Sequence, residues 1–242
     1  MSTTTLMLVR HGESQANVAA AAADAAGAEV IDVPARDPDV LLSELGVSQA
    51  EALGRWLEAL PAADRPQSVW CSPYARAVQT AELAMGASGI GLPIRVDERL
   101  RDRELGVLDA LTAHGVEARM PFEANRRRWV GKFYYRPPGG ESWADVALRV
   151  RSLLDDVARI EAGRRVLVVC HDAVVMVTRY VCEQLTEVEV LDANRTTPVR
   201  NASVTTLVQN SPDGAWTLHD FNRADHLDDV GVPATEHPGD QP

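Results

Sequence analysis

The feature that most constrains this chain is a short apolar run, Leu6–Val9, which ends abruptly in a charged and a polar side chain. Such a run, bounded by polar residues, is typical of a strand buried inside a sheet. A second run, Val166–Cys170, is also strongly apolar and is followed directly by His171. Strands that are apolar on both faces indicate a parallel sheet covered by helices. Because ligands bind at the carboxyl ends of strands in open α/β sheets, the residues after these two runs are candidates for a functional site.

Helical patterns separate the apolar runs. Ser43 is predicted as the N-cap of an amphipathic helix that ends near residue 60, and Ser142 as the N-cap of another. Ser72 and Pro73 predict a further helix start, and a fourth helix is expected from about residue 173 to 184. The other predicted strands are Ser68–Cys71, Ile94–Val96, Ala202–Gln209 and Ala215–Phe221, the last two joined by a turn at 211–214. We therefore expect a three-layer α/β/α sandwich with a mostly parallel central sheet and helices on both faces.

The chain reads as a single domain over residues 1–224, because no repeat and no linker divides it. Two segments, 18–40 and 107–140, are predicted to be insertions that cover the functional site. Pro34 and Pro38 interrupt an alanine-rich helical pattern in the first, and the second carries Arg126–Arg128 and several aromatic residues. The acidic segment 225–242 is expected to be a poorly ordered tail.

Composition narrows the class of protein. The 242 residues carry a net charge of −11, which argues against nucleic acid and anionic membranes as partners. No apolar run is long enough to span a membrane, and the N-terminus lacks the pattern of a secretion signal. The three cysteines suit neither a disulfide framework nor a metal spacing, so we expect reduced thiols in the core of a cytoplasmic protein. The oligomeric state stays open, a homodimer included.

The residues that end the first strand suggest chemistry on an anion. Arg10 brings a permanent charge and a planar set of donors. His11 can act as a nucleophile or carry a proton near neutral pH. Gly12 lets the backbone approach a ligand closely. The combination favours the handling of a phosphoryl group, although a strand that merely ends in a solvated arginine and histidine shows the same three residues.

Four stretches together resemble the histidine phosphatase superfamily, which includes the cofactor-dependent phosphoglycerate mutases. Residues 8–14 with Asn17 resemble its first signature, and residues 72–80 resemble its motif S-P-x-x-R-A-x-Q-T. Residues 100–106 look like the loop that carries the acid, and residues 168–171 look like the strand that presents a second histidine. The four stretches occur in the family's order and span most of the chain.

The resemblance implies a role for each matched residue. His11 would attack phosphorus and form a phosphohistidine, so its attacking nitrogen must be neutral, with the backbone around Gly12 as a candidate partner for the other nitrogen. Arg10, Arg76 and a charged His171 would hold the phosphoryl oxygens and stabilise the transition state. The resemblance therefore implies that the chemistry needs neither a metal nor another cofactor.

The same resemblance leaves several positions less defined. Ser14 and Asn17 would add hydrogen bonds at the floor or rim of the phosphate pocket. The family's acidic residue falls on Asp102, one methylene shorter than the usual glutamate, with Glu104 as the alternative proton donor. Asp172 stands where many members have glycine, and it either raises the basicity of the preceding histidine or, as we favour, caps the following helix.

Hydrolysis and phosphoryl transfer remain alternatives for the activity. The acid loop lacks a tyrosine that is typical of the mutases, and Phe133–Ser142 looks more like the phosphatase-type members. We therefore predict a phosphomonoesterase that acts on a small phosphorylated organic substrate through a phosphohistidine on His11. A phosphoglycerate mutase is the alternative, and a non-enzymatic binder of phosphorylated ligands is a third possibility. Substrate choice should depend on 18–40 and 107–140, whose aromatic residues and arginines suit a phosphorylated organic molecule.

Overall fold

The computed structural model describes residues 3–33, 35–210 and 214–237. Six strands form one sheet: β1 (Thr4–Arg10), β2 (Ser68–Cys71), β3 (Ile94–Val96), β4 (Arg165–Cys170), β5 (Val204–Gln209) and β6 (Trp216–Arg223). Their order across the sheet is β3–β2–β4–β1–β5–β6. The first four in that order pair in parallel, and β5 and β6 add an antiparallel edge. The predicted mostly parallel sheet is confirmed.

The described helices are α1 (Gln15–Ala25), α2 (Glu44–Ala59), α3 (Ala75–Ser88), α4 (Ala113–Arg119), α5 (Pro121–Val130), α6 (Trp143–Ile160), α7 (Asp172–Cys182), α8 (Glu187–Thr196) and α9 (Asp225–Asp228). Helices α2 and α3 pack on one face of the sheet, and α6, α7 and α8 pack on the other. The three-layer sandwich is therefore confirmed. Ser43 and Ser142 cap α2 and α6 as predicted. Within the described residues, no helix is both long and apolar enough to cross a membrane.

Alternation along the central strands explains the two cores. Successive side chains of a strand point to opposite faces. In β1, Leu6 and Leu8 pack with α6 and α7, whereas Met7 and Val9 pack with α2 and α3. All four are buried, which accounts for the unbroken apolar run in the sequence. Cys71, Cys170 and Cys182 are free and buried, in agreement with the prediction of reduced core thiols.

Parallel pairing brings the ends of three strands to one edge of the sheet. Arg10 lies opposite Cys170 in the β1–β4 ladder, so the residues that follow β1 and β4 are neighbours. The amide of His11 donates to the carbonyl of Cys170 at 2.9 Å, and the amide of Ser72, after β2, donates to the carbonyl of Val169 at 2.9 Å. The predicted site residues therefore meet because of the order of the strands.

The loop after β1 lies directly on the start of α2, and two glycines permit this contact. A Cβ on Gly46 would lie 1.9 Å from the carbonyl oxygen of Glu13, and a Cβ on Gly12 would lie 2.5 Å from that of Gly46. No side chain larger than hydrogen fits either position without moving the backbone. Gln49 of α2 accepts a hydrogen bond from the amide of Glu13 at 2.8 Å and so holds the loop in place.

The two predicted insertions differ from expectation in their limits but contact each other. Residues 18–25 belong to α1, which begins directly after Ser14, so the irregular segment starts only at residue 26. The amide of Ile31 donates to the carbonyl of Ala110 at 2.8 Å, and that of Thr112 donates to the carbonyl of Glu29 at 3.2 Å. Pro34, which was expected to interrupt the helical pattern, lies outside the described residues.

The prediction of a disordered tail is wrong for residues 225–237. Leu227 of α9 is fully buried against Ala52 of α2 and Ala202. Further along, the carbonyl of Thr235 accepts a hydrogen bond from the amide of Asn201 at 3.0 Å. The acidic composition concealed the few apolar residues that anchor this segment. Residues 238–242, and most of the turn predicted at 211–214, lie outside the described residues.

Candidate active site

His11 is held as a neutral imidazole with a defined tautomer. Its Nδ1 lies 2.7 Å from the carbonyl oxygen of Gly12, so Nδ1–H donates to that oxygen and Nε2 keeps its lone pair. Burial holds the pKa of His11 well below its ordinary value, and the neighbouring charges of Arg76 and Arg10 lower the pKa further. The amide of Gly12 donates to Thr80 Oγ1 at 3.0 Å, which fixes the loop that orients the ring.

His171 is fully buried beside His11, with 5.1 Å between the ring centroids. Its Nδ1 lies 3.2 Å from Asp102 Oδ2, and its Nε2 lies 2.8 Å from Ser72 Oγ. The Ser72 hydroxyl donates to Nε2 when the ring proton is on Nδ1, and that nitrogen is within ion-pair distance of the carboxylate but outside hydrogen-bond geometry. Burial lowers the pKa of His171 more than Asp102 raises it. The structure therefore favours a neutral His171 at neutral pH, contrary to the charged ring expected from the family resemblance.

Arg10 presents a buried donor that none of the described residues accepts. Only 1% of the residue is exposed, and Nη1 donates to the carbonyl of Val199 at 2.5 Å. Its Nε is buried and has no hydrogen-bond partner among the described residues. An unpaired buried donor is costly, so this atom is suited to a ligand oxygen. Burial lowers the pKa of Arg10 while Asp172 and Asp102 raise it, and the guanidinium stays charged at neutral pH.

Arg76 lies in the first turn of α3, where the helix dipole disfavours a cation. Two carboxylates offset this cost. Asp37 approaches Nη1 at 2.9 Å and Asp102 approaches Nη2 at 3.0 Å. Although burial lowers the pKa of Arg76, these two carboxylates outweigh it and raise the pKa above its ordinary value. Arg76 therefore points into the site, but its donors are shared with acidic side chains.

The two candidate acids occupy different surroundings. Asp102 contacts both Arg76 and His171, among the groups that surround His11. Burial alone raises the pKa of Asp102, yet His171 and Arg76 hold it well below its ordinary value. Glu104 Oε1 accepts a hydrogen bond from the hydroxyl of Tyr74 at 2.8 Å instead. The structure therefore brings Asp102, and not Glu104, against the second histidine.

Ser14 and Asn17 line the cavity in which these residues lie, and their side chains form a capping box for α1. Ser14 Oγ accepts from the amide of Asn17 at 3.1 Å, and Asn17 Oδ1 accepts from the amide of Ser14 at 3.0 Å. Asn201 Nδ2 also donates to Asn17 Oδ1 at 3.3 Å and to the carbonyl of His11 at 3.0 Å. Sequence reasoning missed Asn201, because nothing in its surroundings resembles a motif.

Two helix starts differ from the sequence prediction. Helix α3 begins at Ala75 with Tyr74 as the N-cap residue, two residues later than expected. The Ser72 hydroxyl instead hydrogen-bonds to His171 Nε2 and accepts a hydrogen bond from the amide of Tyr74. Helix α7 has His171 as its N-cap residue, without a side-chain capping bond, so Asp172 is not the cap but the first helical residue. Its buried carboxylate lies in the field of Arg10.

A cavity of about 320 Å³ opens at these residues. Arg10, His11, Arg76 and Asp102 form one end, and we call this the phosphate end. The other walls come from described residues within 20–33, 35–40, 103–113 and 236–237. Within the described parts of the chain, no three histidine, cysteine or acidic side chains are arranged to hold a metal ion.

The chain belongs to the histidine phosphatase superfamily (branch 1), whose family model matches residues 6–224. It is 33% identical over 190 residues to the 2,3-bisphosphoglycerate-dependent phosphoglycerate mutase of Methylobacterium radiotolerans, covering 77% of this chain and 82% of that protein. It is 31% identical over 169 residues to the 6-phosphofructo-2-kinase/fructose-2,6-bisphosphatase of Gallus gallus, covering 70% of this chain and 30% of that protein.

Among solved structures, the fold is similar to that of a mycobacterial glucosyl-3-phosphoglycerate phosphatase. The TM-score is 0.71 with 28% identity, and the match covers 92% of this chain and all of that one. These similarities confirm the phosphoglycerate mutase-like fold and an enzyme family that includes both phosphatases and mutases. They leave the reaction of this chain to be argued from its own site.

Proposed function

We propose that the protein hydrolyses phosphomonoesters through a phosphohistidine on His11. The observation that carries the proposal is the arrangement at the phosphate end. A buried neutral imidazole keeps its Nε2 lone pair, while the guanidinium of Arg10 offers an unpartnered Nε–H and Arg76 lies beside it. A nucleophile, two fixed cations and a cavity for the ester are the parts that phosphoryl transfer requires.

In the first step, His11 Nε2 forms a bond to phosphorus while the bond from phosphorus to the ester oxygen breaks. Arg10 and Arg76 hold the phosphoryl oxygens, and Asp102 gives a proton to the departing alcohol. In the second step, water attacks the phosphohistidine and gives its proton to Asp102, and His11 leaves as a neutral ring. Ser14 and Asn17 would contribute hydrogen bonds at the rim of the site.

Asp102 must be protonated when the alcohol leaves, although Arg76 and His171 keep its pKa low. We propose that the proton arrives with the substrate. The second pKa of a phosphomonoester is about 6, so the monoanion is available near neutral pH. Once the phosphoryl oxygens occupy the donors of Arg76, the carboxylate loses its partner and accepts the proton. Glu104 stays the alternative donor.

Turnover of p-nitrophenyl phosphate tests the proposal. The wild-type protein should release p-nitrophenol and incorporate acid-labile label from a ³²P-labelled ester. His11→Ala should lower kcat by at least roughly a thousandfold and abolish the labelling, because no other nucleophile replaces the ring. His219→Ala, which alters a mostly exposed histidine of β6, is the matched control and should retain full activity. Retained turnover in His11→Ala would refute the mechanism, and phosphate binding without any turnover would indicate a binding protein.

The relatives that are named phosphoglycerate mutases support transfer as a second candidate. A mutase returns the phosphoryl group to the substrate, whereas a phosphatase passes it to water. Incubation with 3-phosphoglycerate and a bisphosphoglycerate primer separates the two reactions. We expect free phosphate as the product of any turnover, and formation of 2-phosphoglycerate would establish the mutase.

A further inference from the structure

The walls of the cavity carry an unusual charge for an enzyme that binds an anion. Among the described residues that line it, seven carboxylates outnumber three guanidiniums. Asp102 belongs to the phosphate end, and Asp172 lies in the field of Arg10. The other five carboxylates belong to Asp24, Asp37, Glu104, Asp109 and Glu236. The part of the substrate that extends beyond the phosphate end therefore enters a negatively charged space.

Beyond the phosphate end, the described cations of the cavity are already engaged. Arg10 and Arg76 belong to the phosphate end, and Arg76 is shared between Asp37 and Asp102. The third guanidinium, Arg103, donates from Nε to the carbonyl of Glu141 at 2.8 Å. The imidazole of His237 lies 2.9 Å from a carboxylate oxygen of Glu13. A second anionic group on the substrate would have to compete with these partners.

Two of the acidic side chains, Asp37 and Glu104, act on a third, Asp109. Asp37 lies on a single 3₁₀ turn at 37–39, Glu104 lies in the acid loop, and Asp109 follows that loop. Burial raises the pKa of Asp109, and the charges of Asp37 and Glu104 raise it further. Carboxylates that are close enough to raise a pKa in this way are stabilised by a cation and destabilised by another anion.

The remaining wall residues are mostly apolar. Ile31, Val33, Leu105 and Leu111 line the cavity beside the acidic side chains. Low-polarity walls strengthen the electrostatic effect of the carboxylates on a ligand. That a ligand enters here is indicated independently by the unpartnered Nε of Arg10, which is buried at the phosphate end of the same cavity.

We propose that the site selects phosphomonoesters whose alcohol carries an ammonium group, accepts neutral alcohols less well, and rejects alcohols that carry a carboxylate or a second phosphate. The inference rests on the proposed phosphatase function and adds a substrate class to it. It also opposes the mutase alternative, since phosphoglycerates and bisphosphoglycerate carry the rejected groups.

Three esters test the inference at equal carbon count, since each has a two-carbon alcohol: O-phosphoethanolamine, ethyl phosphate and phosphoglycolate. We expect kcat/KM to fall in that order, with at least tenfold between the first and the last. Asp109→Asn removes one negative charge from the wall without altering the phosphate end, and it should lower the ratio of first to last at least threefold. Asp192→Asn, an equivalent change on the exposed surface of α8, should leave the ratio unchanged.

The failure of this inference is distinguishable from that of the proposed function. If p-nitrophenyl phosphate is hydrolysed in a His11-dependent manner but phosphoglycolate is the best of the three esters, the selectivity is refuted and the phosphatase stands. If Asp109→Asn leaves the ratio of kcat/KM for O-phosphoethanolamine to that for phosphoglycolate unchanged, the role of the wall carboxylates in selectivity is refuted. Titration calorimetry of the three esters with His11→Ala gives the same ranking test without catalysis, and equal or tighter binding of phosphoglycolate there overturns the inference even if no ester is turned over.

Discussion

Replacing Asp102 with asparagine separates its role as proton donor in the proposed mechanism from its contact with Arg76. The carboxylate lies 3.0 Å from Arg76 Nη2 and 3.2 Å from His171 Nδ1. Asparagine has nearly the same shape, but it neither gives a proton to a departing alcohol nor neutralises the guanidinium. We therefore expect Asp102→Asn to weaken catalysis and to strengthen the binding of inorganic phosphate.

Both effects are large enough to measure. Loss of a general acid costs about 10²- to 10⁴-fold in kcat, or roughly 2.7–5.4 kcal/mol of transition-state stabilisation. The attraction between charges 3.0 Å apart is about 5 kcal/mol at an effective dielectric constant of about 20. Phosphate must compete with that attraction for Arg76. Relief of only about a quarter of it tightens phosphate inhibition roughly tenfold.

The assay compares two leaving groups and one inhibitor. With ethyl phosphate, whose alkoxide needs a proton, kcat/KM of Asp102→Asn should fall by at least roughly a hundredfold. With p-nitrophenyl phosphate, whose phenolate leaves without help, kcat/KM should fall less than about tenfold, and the inhibition constant of phosphate should decrease. The comparison uses kcat/KM because hydrolysis of the phosphohistidine, in which Asp102 also takes part, is common to both esters and affects only kcat. Glu104→Gln is the matched control and should show no dependence on the leaving group. Equal losses of kcat/KM with both esters in Asp102→Asn, or a leaving-group dependence in Glu104→Gln, would refute the assignment of Asp102.

Three further predictions concern stability, pH and phosphate affinity. Gly46→Ala should lower the free energy of unfolding by at least about 3 kcal/mol in urea titrations, because its Cβ would lie 1.9 Å from a carbonyl oxygen. Gly86→Ala, with open space around the new methyl group, should raise the free energy of unfolding by about 0.5–1 kcal/mol. Similar changes in the two variants would contradict the close backbone contact at Gly46. Burial holds the pKa of His11 below the ordinary histidine value, and the nucleophile is lost only below that pKa. The loss of kcat/KM for p-nitrophenyl phosphate at low pH, corrected for substrate ionisation, should therefore be centred below the ordinary value of about 6.5, and a loss centred near that value would contradict a buried neutral ring. Asp172→Asn removes a negative charge near Arg10 and should lower the inhibition constant of orthovanadate about threefold, so weaker inhibition would show that the carboxylate supports the site.

The phosphate end was predictable from the sequence because each of its parts follows a recognisable strand. The runs before His11 and His171 predict buried parallel strands, and their pairing in register makes the two histidines neighbours. Local signals were equally reliable at Ser43 and Ser142, where the capping side chain bonds to backbone three residues later. The strands and the caps were predictable because each depends on residues that are close together in the sequence.

The differences arise where a distant contact outweighs a local signal. Ser72 has the sequence of an N-cap, but its hydroxyl bonds to His171, which is 99 residues away, and α3 starts later. Leu227 lies in an acidic segment that predicts disorder, yet it is fully buried against α2. The segment 107–140 was expected to cover the site, but its Trp129 does not line the described cavity and is 89% exposed.

The carboxylates of the cavity and the cations of the phosphate end act on the same ligand. Asp37 and Asp102 occupy donors of Arg76 that a phosphoryl group would use, so a bound phosphate must displace or share them. That competition weakens the binding of ground-state substrate and of phosphate product to a similar extent. In the transition state of the proposed reaction, charge spreads over the equatorial oxygens, and Arg10 and Arg76 would stabilise it more strongly than they stabilise the ester. Interactions that are stronger in the transition state than with bound substrate raise kcat rather than lower KM. This property suits an enzyme that must release phosphate after every turnover.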